Sequence, residues 1–189
     1  MEAVLLLAGK SERFGENKLC YPIKGKAMYR YMWDVFCHAS EEKLINHLYV
    51  VTQYQSIMED LQEENCILIH NKNPEKGISH SIKLALGEIR KEHPDSENCL
   101  FSVGDQPFFQ KETMVRFIEN HRKIPQGISL CAHENQRGNP VIFFQKYYPE
   151  LMGLQGDVGG KQVISRYPED VFFFPVEKQE LEDIDVKPL

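Results

Sequence analysis

Residues 3–18 read Ala3-Val4-Leu5-Leu6-Leu7-Ala8-Gly9-Lys10-Ser11-Glu12-Arg13-Phe14-Gly15-Glu16-Asn17-Lys18. Val4–Leu7 is an unbroken apolar run of strand length, the pattern of a strand covered on both faces of a sheet. It opens at once into a loop in which Gly9 and Gly15 bracket Lys10, Ser11 and Arg13, with Lys18 following. Glycine lets backbone amides approach a ligand, and fixed cations around them make a cradle for an anion, a triphosphate above all. Gly9-Lys10-Ser11 imitates the tail of a P-loop, but that motif needs glycine at position 4, where Val4 stands in the strand. A dinucleotide fingerprint would need glycine at position 11, where the chain has Ser11.

Outward from this stretch, apolar runs and helix-spaced stripes alternate. Leu48–Val51, Cys66–Ile69, Leu100–Val103, 128–132, 141–144 and 171–174 read as strands. Met28, Tyr31, Met32, Val35 and Phe36 recur at helical spacing, as do Ile57 with Leu61, then Ile78, Ile82, Leu86 and Ile89, and then Met114, Val115 and Ile118. The alternation predicts an α/β fold: a mainly parallel sheet with helices on both faces. The runs around 128–144 leave no room for a crossover helix. They predict a small antiparallel excursion, as a β-ribbon lid or an edge. With 189 residues and no repeat or low-complexity segment, 1–189 reads as one domain.

A net charge of −6 speaks against sequence-independent nucleic-acid binding, which needs a basic face. Five dispersed cysteines without a C-x-x-C pair read as buried reduced thiols. The N-terminal apolar run is short and flanked by Glu2, unlike a signal peptide, and no segment reaches transmembrane length. The expectation is a cytoplasmic protein without membrane or nucleic-acid partners.

Several constellations could carry chemistry. In the first loop, Arg13 can grip phosphate oxygens bidentately, Lys18 acts as a mobile point charge, and Ser11 either caps the next turn or bonds a phosphate. Gly104-Asp105-Gln106-Pro107 follows an apolar strand. A carboxylate there suits Mg²⁺, which takes one or two protein carboxylates beside water and phosphate oxygens, or it caps a turn. Gly104 would leave space for a nucleotide. Strand carboxyl ends in parallel sheets border the ligand crevice, so both loops could face one site. Gly77-Ile78-Ser79-His80-Ser81 opens a helix whose free amides could hold base, ribose or phosphate, with Ser79 as a plain N-cap the alternative. His80 reads as a surface residue. Arg137-Gly138-Asn139-Pro140 enters a strand, and Gly156-Asp157-Val158-Gly159-Gly160 enters a helix. Asp157 caps that helix or touches a second substrate or a metal. Glu182-Asp183-Ile184-Asp185 is a solvated acidic tail or brings Asp185 to a metal.

Taken in order, Ala8-Gly9-x-Ser11-x-Arg13-Phe14-Gly15-x-x-Lys18, Gly77-Ile78-Ser79 with Ser81-Ile82-Lys83, Gly104-Asp105-Gln106-Pro107, Gly138-Asn139-Pro140-Val141, Gly156-Asp157-x-Gly159 and Asp183-Ile184-Asp185 span nearly the whole chain. The set resembles the molybdenum-cofactor nucleotidyltransferases, and its Arg-Phe-Gly and Gly-Asn-Pro-Val forms look most like the cytidylyltransferase branch. The resemblance implies a Rossmann-like nucleotidyltransferase fold, Mg²⁺ dependence, and transfer of CMP from CTP to the phosphate of molybdopterin carrying molybdenum, with release of pyrophosphate. It assigns Arg13, Lys18 and Asp105 to catalysis. Leu7, Ala8, Gly9, Lys10, Ser11, Gly77, Ser79, Ser81 and Gly104 go to the nucleotide, Arg137, Asn139 and Asp157 to the acceptor, and Asp105 with Asp185 to the metal. The product would serve molybdenum hydroxylases, one of which would be a transient partner. The alternatives are guanylyl transfer from GTP, a sugar or alcohol phosphate as acceptor, and a non-catalytic module that delivers the finished cofactor.

Overall fold

A computed structural model describes residues 1–9, 11, 14–15, 17–124 and 126–185. In chain order the elements are β1 (Glu2–Leu7), β2 (Pro22–Ile23), β3 (Lys26–Ala27), α1 (Met28–Glu41), β4 (His47–Thr52), α2 (Gln55–Leu61), β5 (Ile67–His70) and α3 (Ile78–Glu92). There follow β6 (Asn98–Val103), α4 (Lys111–His121), β7 (Ile128–His133), β8 (Gln136–Phe144), α5 (Tyr148–Gly153), α6 (Lys161–Arg166) and β9 (Val171–Pro175). Seven strands form one sheet in the order β5-β4-β1-β6-β8-β7-β9, and β2 with β3 makes a separate antiparallel pair. The central strand β1 pairs in parallel on both sides, with Leu5 opposite Val50 on β4 and Ser102 on β6.

The period-two alternation of β1 sorts its side chains between two cores. Ala3, Leu5 and Leu7 pack with α1, α2 and α4, whereas Val4 and Leu6 pack with α3, α5 and α6. The mainly parallel α/β sheet expected from the sequence is the fold that forms. The antiparallel excursion is neither lid nor edge. β8 lies inside the sheet, antiparallel to β6 and β7, and β9 closes that side by pairing in parallel with β7. The reason is burial: Pro140–Phe143 are buried, which a lid or an edge would not allow. Helix α5 has no counterpart in the sequence reading, because its six residues are too few to show a helical stripe. Among the described residues no helix is long and apolar enough to cross a membrane.

Candidate active site

The carboxyl ends of β1 and β6 border a cleft of about 450 Å³. Its walls include Ala8, Gly9, Ser11 and Lys18 from the first loop, Gly77, Ile78 and Ser81 from the start of α3, Gly104 and Asp105 after β6, and Asp157 and Asp185. The chain folds this way because parallel strands deliver their exit loops to one end of the sheet. Side chains at and just beyond the end of β4 fix the first loop from behind. Thr52 Oγ1 donates to Leu7 O at 3.0 Å, Gln53 Nε2 to Ala8 O at 2.9 Å, and Tyr54 Oη to Gly9 O at 2.5 Å. Three successive carbonyls are thereby occupied, so none is a bare acceptor facing an anion. Ser11 has a φ of 54°, and its Oγ accepts from Lys18 N–H at 3.2 Å, which closes the loop on itself. Thr52, Gln53 and Tyr54 carry no motif, and sequence reading passed over them.

The acidic side of the cleft is built by a backbone bond. Ile184 N donates to Asp105 O at 3.1 Å, docking the C-terminal segment alongside the Asp105 turn. Residues flanking Ile184 in the sequence then share a side, so Asp183 and Asp185 both reach Asp105, with carboxylate oxygens of all three within 4.8 Å of one another. Upstream, Glu180 anchors the segment: its carboxylate accepts from Gln110 N and Glu177 N, each at 3.1 Å. Asp183, which the sequence reading left without a role, is thus the third carboxylate of the group.

Lys18 is the counter-ion. Its Nζ lies 2.7 Å from Asp105 Oδ2 and 2.8 Å from Asp185 Oδ1. Burial pulls the Lys18 pKa down, but the Asp105 charge and the hydrogen bonds to both aspartates outweigh it and hold it above the ordinary lysine value. Asp105 Oδ1 is buried and has no hydrogen-bond partner among the described residues. A buried carboxylate oxygen left without a partner is costly, and a divalent cation satisfies it. The three carboxylates of the group, two of them bridged by the Lys18 ammonium, offer the hard oxygen donors that Mg²⁺ or Mn²⁺ takes.

Other expected residues fall differently. The Leu7 side chain is fully buried in the α1 core, and Leu6 reaches the cleft in its place. The alternation of β1 decides this. Gly104 borders the cleft, but the space it leaves is taken by protein: a Cβ there would meet Leu7 Cδ2 at 2.2 Å. Gly77 likewise admits the neighbouring turn, since its Cβ would lie 2.5 Å from Gly156 C. Ser79 is buried, with its Oγ directed to Lys76 O at 3.5 Å, and is absent from the cleft wall. Ser81 is on the wall, where its Oγ accepts from Asn71 Nδ2 at 3.0 Å. Asp157 Oδ1 accepts from Ile78 N at 3.3 Å, so it caps α3 across the chain, not the α6 helix it precedes. Arg137 and Asn139 are apart from Asp157. They border a second pocket of about 160 Å³ with Phe101, Leu130, Phe143 and Lys161, which shares Leu6, Ile78 and Val103 with the cleft. Lys10 and Arg13 lie outside the described residues.

A mainly parallel α/β sheet thus brings the first loop and the acidic group to one crevice, an arrangement suited to a nucleotidyltransferase. The chain belongs to the MobA-like NTP transferase family, whose domain model matches residues 3–171. A probable molybdenum cofactor guanylyltransferase of Aquifex aeolicus is 28% identical over 119 residues, covering 63% of this chain and 53% of that one, so the match spans about half of the relative. The purine catabolism protein PucB of Bacillus subtilis is 23% identical over 85% of this chain and 78% of its own. The crystal structure of Rv0371c from Mycobacterium tuberculosis superposes with a TM-score of 0.80 at 21% identity, covering 98% and 94% of the two chains. The same protein has also been solved in complex with manganese, which superposes at 0.76 and 20% identity over 93% and 87%.

Proposed function

We propose that the chain transfers CMP from CTP to the phosphate of a molybdopterin-type acceptor and releases pyrophosphate. The observation that carries this reading is Asp105, whose Oδ2 pairs with Lys18, whose Oδ1 is buried without a hydrogen-bond partner among the described residues, and whose carboxylate groups with those of Asp183 and Asp185. Asp105, Asp183 and Asp185 would hold Mg²⁺, which when bound supplies positive charge to triphosphate oxygens. Lys18 leaves the carboxylates and turns its ammonium to the α-phosphate, where charge develops. Arg13 grips the pyrophosphate leaving group, and Lys10 adds charge beside it. Ala8, Gly9 and Ser11 hold the phosphates, while Gly77 and Ser81 flank the base and ribose. An acceptor phosphate is already ionised at neutral pH, so positioning and charge neutralisation do most of the work and no strong general base is needed.

The second pocket would take the phosphate end of the acceptor, with Arg137, Asn139 and Lys161 around it and Asp157 on the cleft side. Its wall is mainly apolar apart from Arg137, Asn139 and Lys161. A delivery module has less use for a metal carboxylate group beside a triphosphate loop. The name of the Aquifex relative favours a second reading in which GTP replaces CTP. Cytoplasmic location and a passing contact with a molybdenum hydroxylase belong to the same proposal. The test is calorimetric titration with CTP, GTP, ATP and UTP, each with Mg²⁺. CTP is expected to bind tightest. Tightest binding of GTP would move the base to guanine, and no binding of any nucleotide would overturn the enzyme reading.

A further inference from the structure

At the opposite end of the sheet, Glu2, His47 and His93 meet where β1 and β4 begin and α3 ends. One ligand atom from each lies within 4.8 Å of the other two. Glu2 is only 2% exposed, so its carboxylate sits where a lone charge costs several kcal/mol. Its Oε2 is 2.9 Å from His47 Nδ1, and its Oε1 accepts from Asn46 Nδ2 at 3.3 Å. The His93 ring stacks on that of His47, with centroids 3.9 Å apart and planes 11° from parallel. His93 is also the residue at which α3 ends, its N–H bonded to Ile89 O at 2.7 Å, so the negative end of a 15-residue helix dipole faces this group.

We propose that Glu2, His47 and His93 form a second metal site, for a borderline transition ion of the Zn²⁺ class. Two imidazoles and one carboxylate are the donor set such ions select, whereas Mg²⁺ prefers oxygen alone. Bond lengths of about 2.0–2.2 Å place tetrahedral ligands roughly 3.3 Å apart. The Glu2–His47 pair is nearly there already, and His93 must swing its ring out of the stack to join. His93 and His47 are both solvent-accessible, which leaves room for that rotation and an entry path for the ion. The ion takes the place of the proton between Glu2 and His47, and in neutral His47 that proton moves to Nε2. The bound ion ties the starts of β1 and β4 to the end of the helix whose other end borders the cleft.

The experiment uses the full chain carrying Asp105→Asn, Asp183→Asn and Asp185→Asn, which silences the acidic group, and titrates it with Zn²⁺ against a chromophoric chelator. One equivalent is expected to bind. His47→Ala, His93→Ala and Glu2→Gln should each weaken that binding at least tenfold, while His38→Ala, at another half-buried imidazole beside a carboxylate, leaves it within twofold. In the unsubstituted chain, Zn²⁺ should shift the imidazole NMR signals of His47 and His93 ahead of the other five histidines. No binding, binding unchanged in the His47→Ala/His93→Ala double variant, or shifts confined to other histidines would each overturn the proposal.

Discussion

The two ends of the sheet each gather three ligand-type side chains, and they differ in donor and in counter-charge. At the carboxyl end, three aspartates offer oxygen alone, and the Lys18 ammonium bridges two of them, Asp105 and Asp185. At the amino end, roughly 20 Å away along a six-residue strand, one buried glutamate meets two imidazoles and no lysine is needed. The difference is chemical and positional. Strand exits in a parallel sheet lead to loops that can wrap a ligand, so a mobile cation such as Lys18 is useful there. At the strand entries the buried Glu2 charge meets His47 and Asn46 from the neighbouring strand and the turn before it.

The sharpest way to break the comparison is Asp105→Asn. Turnover should fall roughly 10³-fold because the carboxylate group proposed to hold the metal loses a charge, while thermal unfolding stays within a few degrees. Steady-state kinetics with a melting curve checks both. Lys18→Met comes next, with opposite effects on two readouts. Turnover drops roughly 10²-fold, yet Mn²⁺ binding to the nucleotide-free protein tightens, since no ammonium competes for Asp105 and Asp185. Weaker Mn²⁺ binding would mean that Lys18 supports the metal group instead of standing in for it. Gly104→Ala should cost about 2 kcal/mol in denaturant unfolding, because its Cβ collides with Leu7. In a double-mutant cycle, Gly104→Ala and Leu7→Ala together should cost less than the sum of their separate losses.

An effect of similar size concerns pH. His121 is buried between Ser129 Oγ and Asn98 Oδ1, and burial pushes its pKa down to about 4. The unfolded chain takes up that proton first, near 6.5, so the contribution is complete above 6.5 and is lost as pH falls toward 4. A loss of about 2 kcal/mol across this window, after allowing for solvent screening, is expected in urea titrations, and His121→Gln should flatten it.

Much of this was legible in the chain. The apolar runs of β1, β4 and β6 and the stripes of α1, α3 and α4 carry their own periodicity, and the Gly9 and Asp105 loops follow strands whose ends must coincide. What stayed hidden depends on contacts between distant segments. A hairpin over 128–144 can be read locally, but its insertion beside β6 cannot, because strand order is a property of the assembled sheet. Gly77 and Gly104 look the same whether glycine admits a ligand or another piece of chain, and here each admits chain. Asp183 gained its place only through the Ile184–Asp105 backbone bond. Asp157 caps a helix 79 residues earlier, which no local spacing encodes.

The central claim is nucleotidyl transfer at the cleft of Lys18 and Asp105. It is tested most directly by measuring pyrophosphate released when the purified chain is given CTP, Mg²⁺ and molybdenum cofactor. The expected result is pyrophosphate formed in step with a cytosine dinucleotide of the cofactor, and lost in Asp105→Asn. No pyrophosphate with CTP, GTP, ATP or UTP, or equal release by Asp105→Asn, would contradict it.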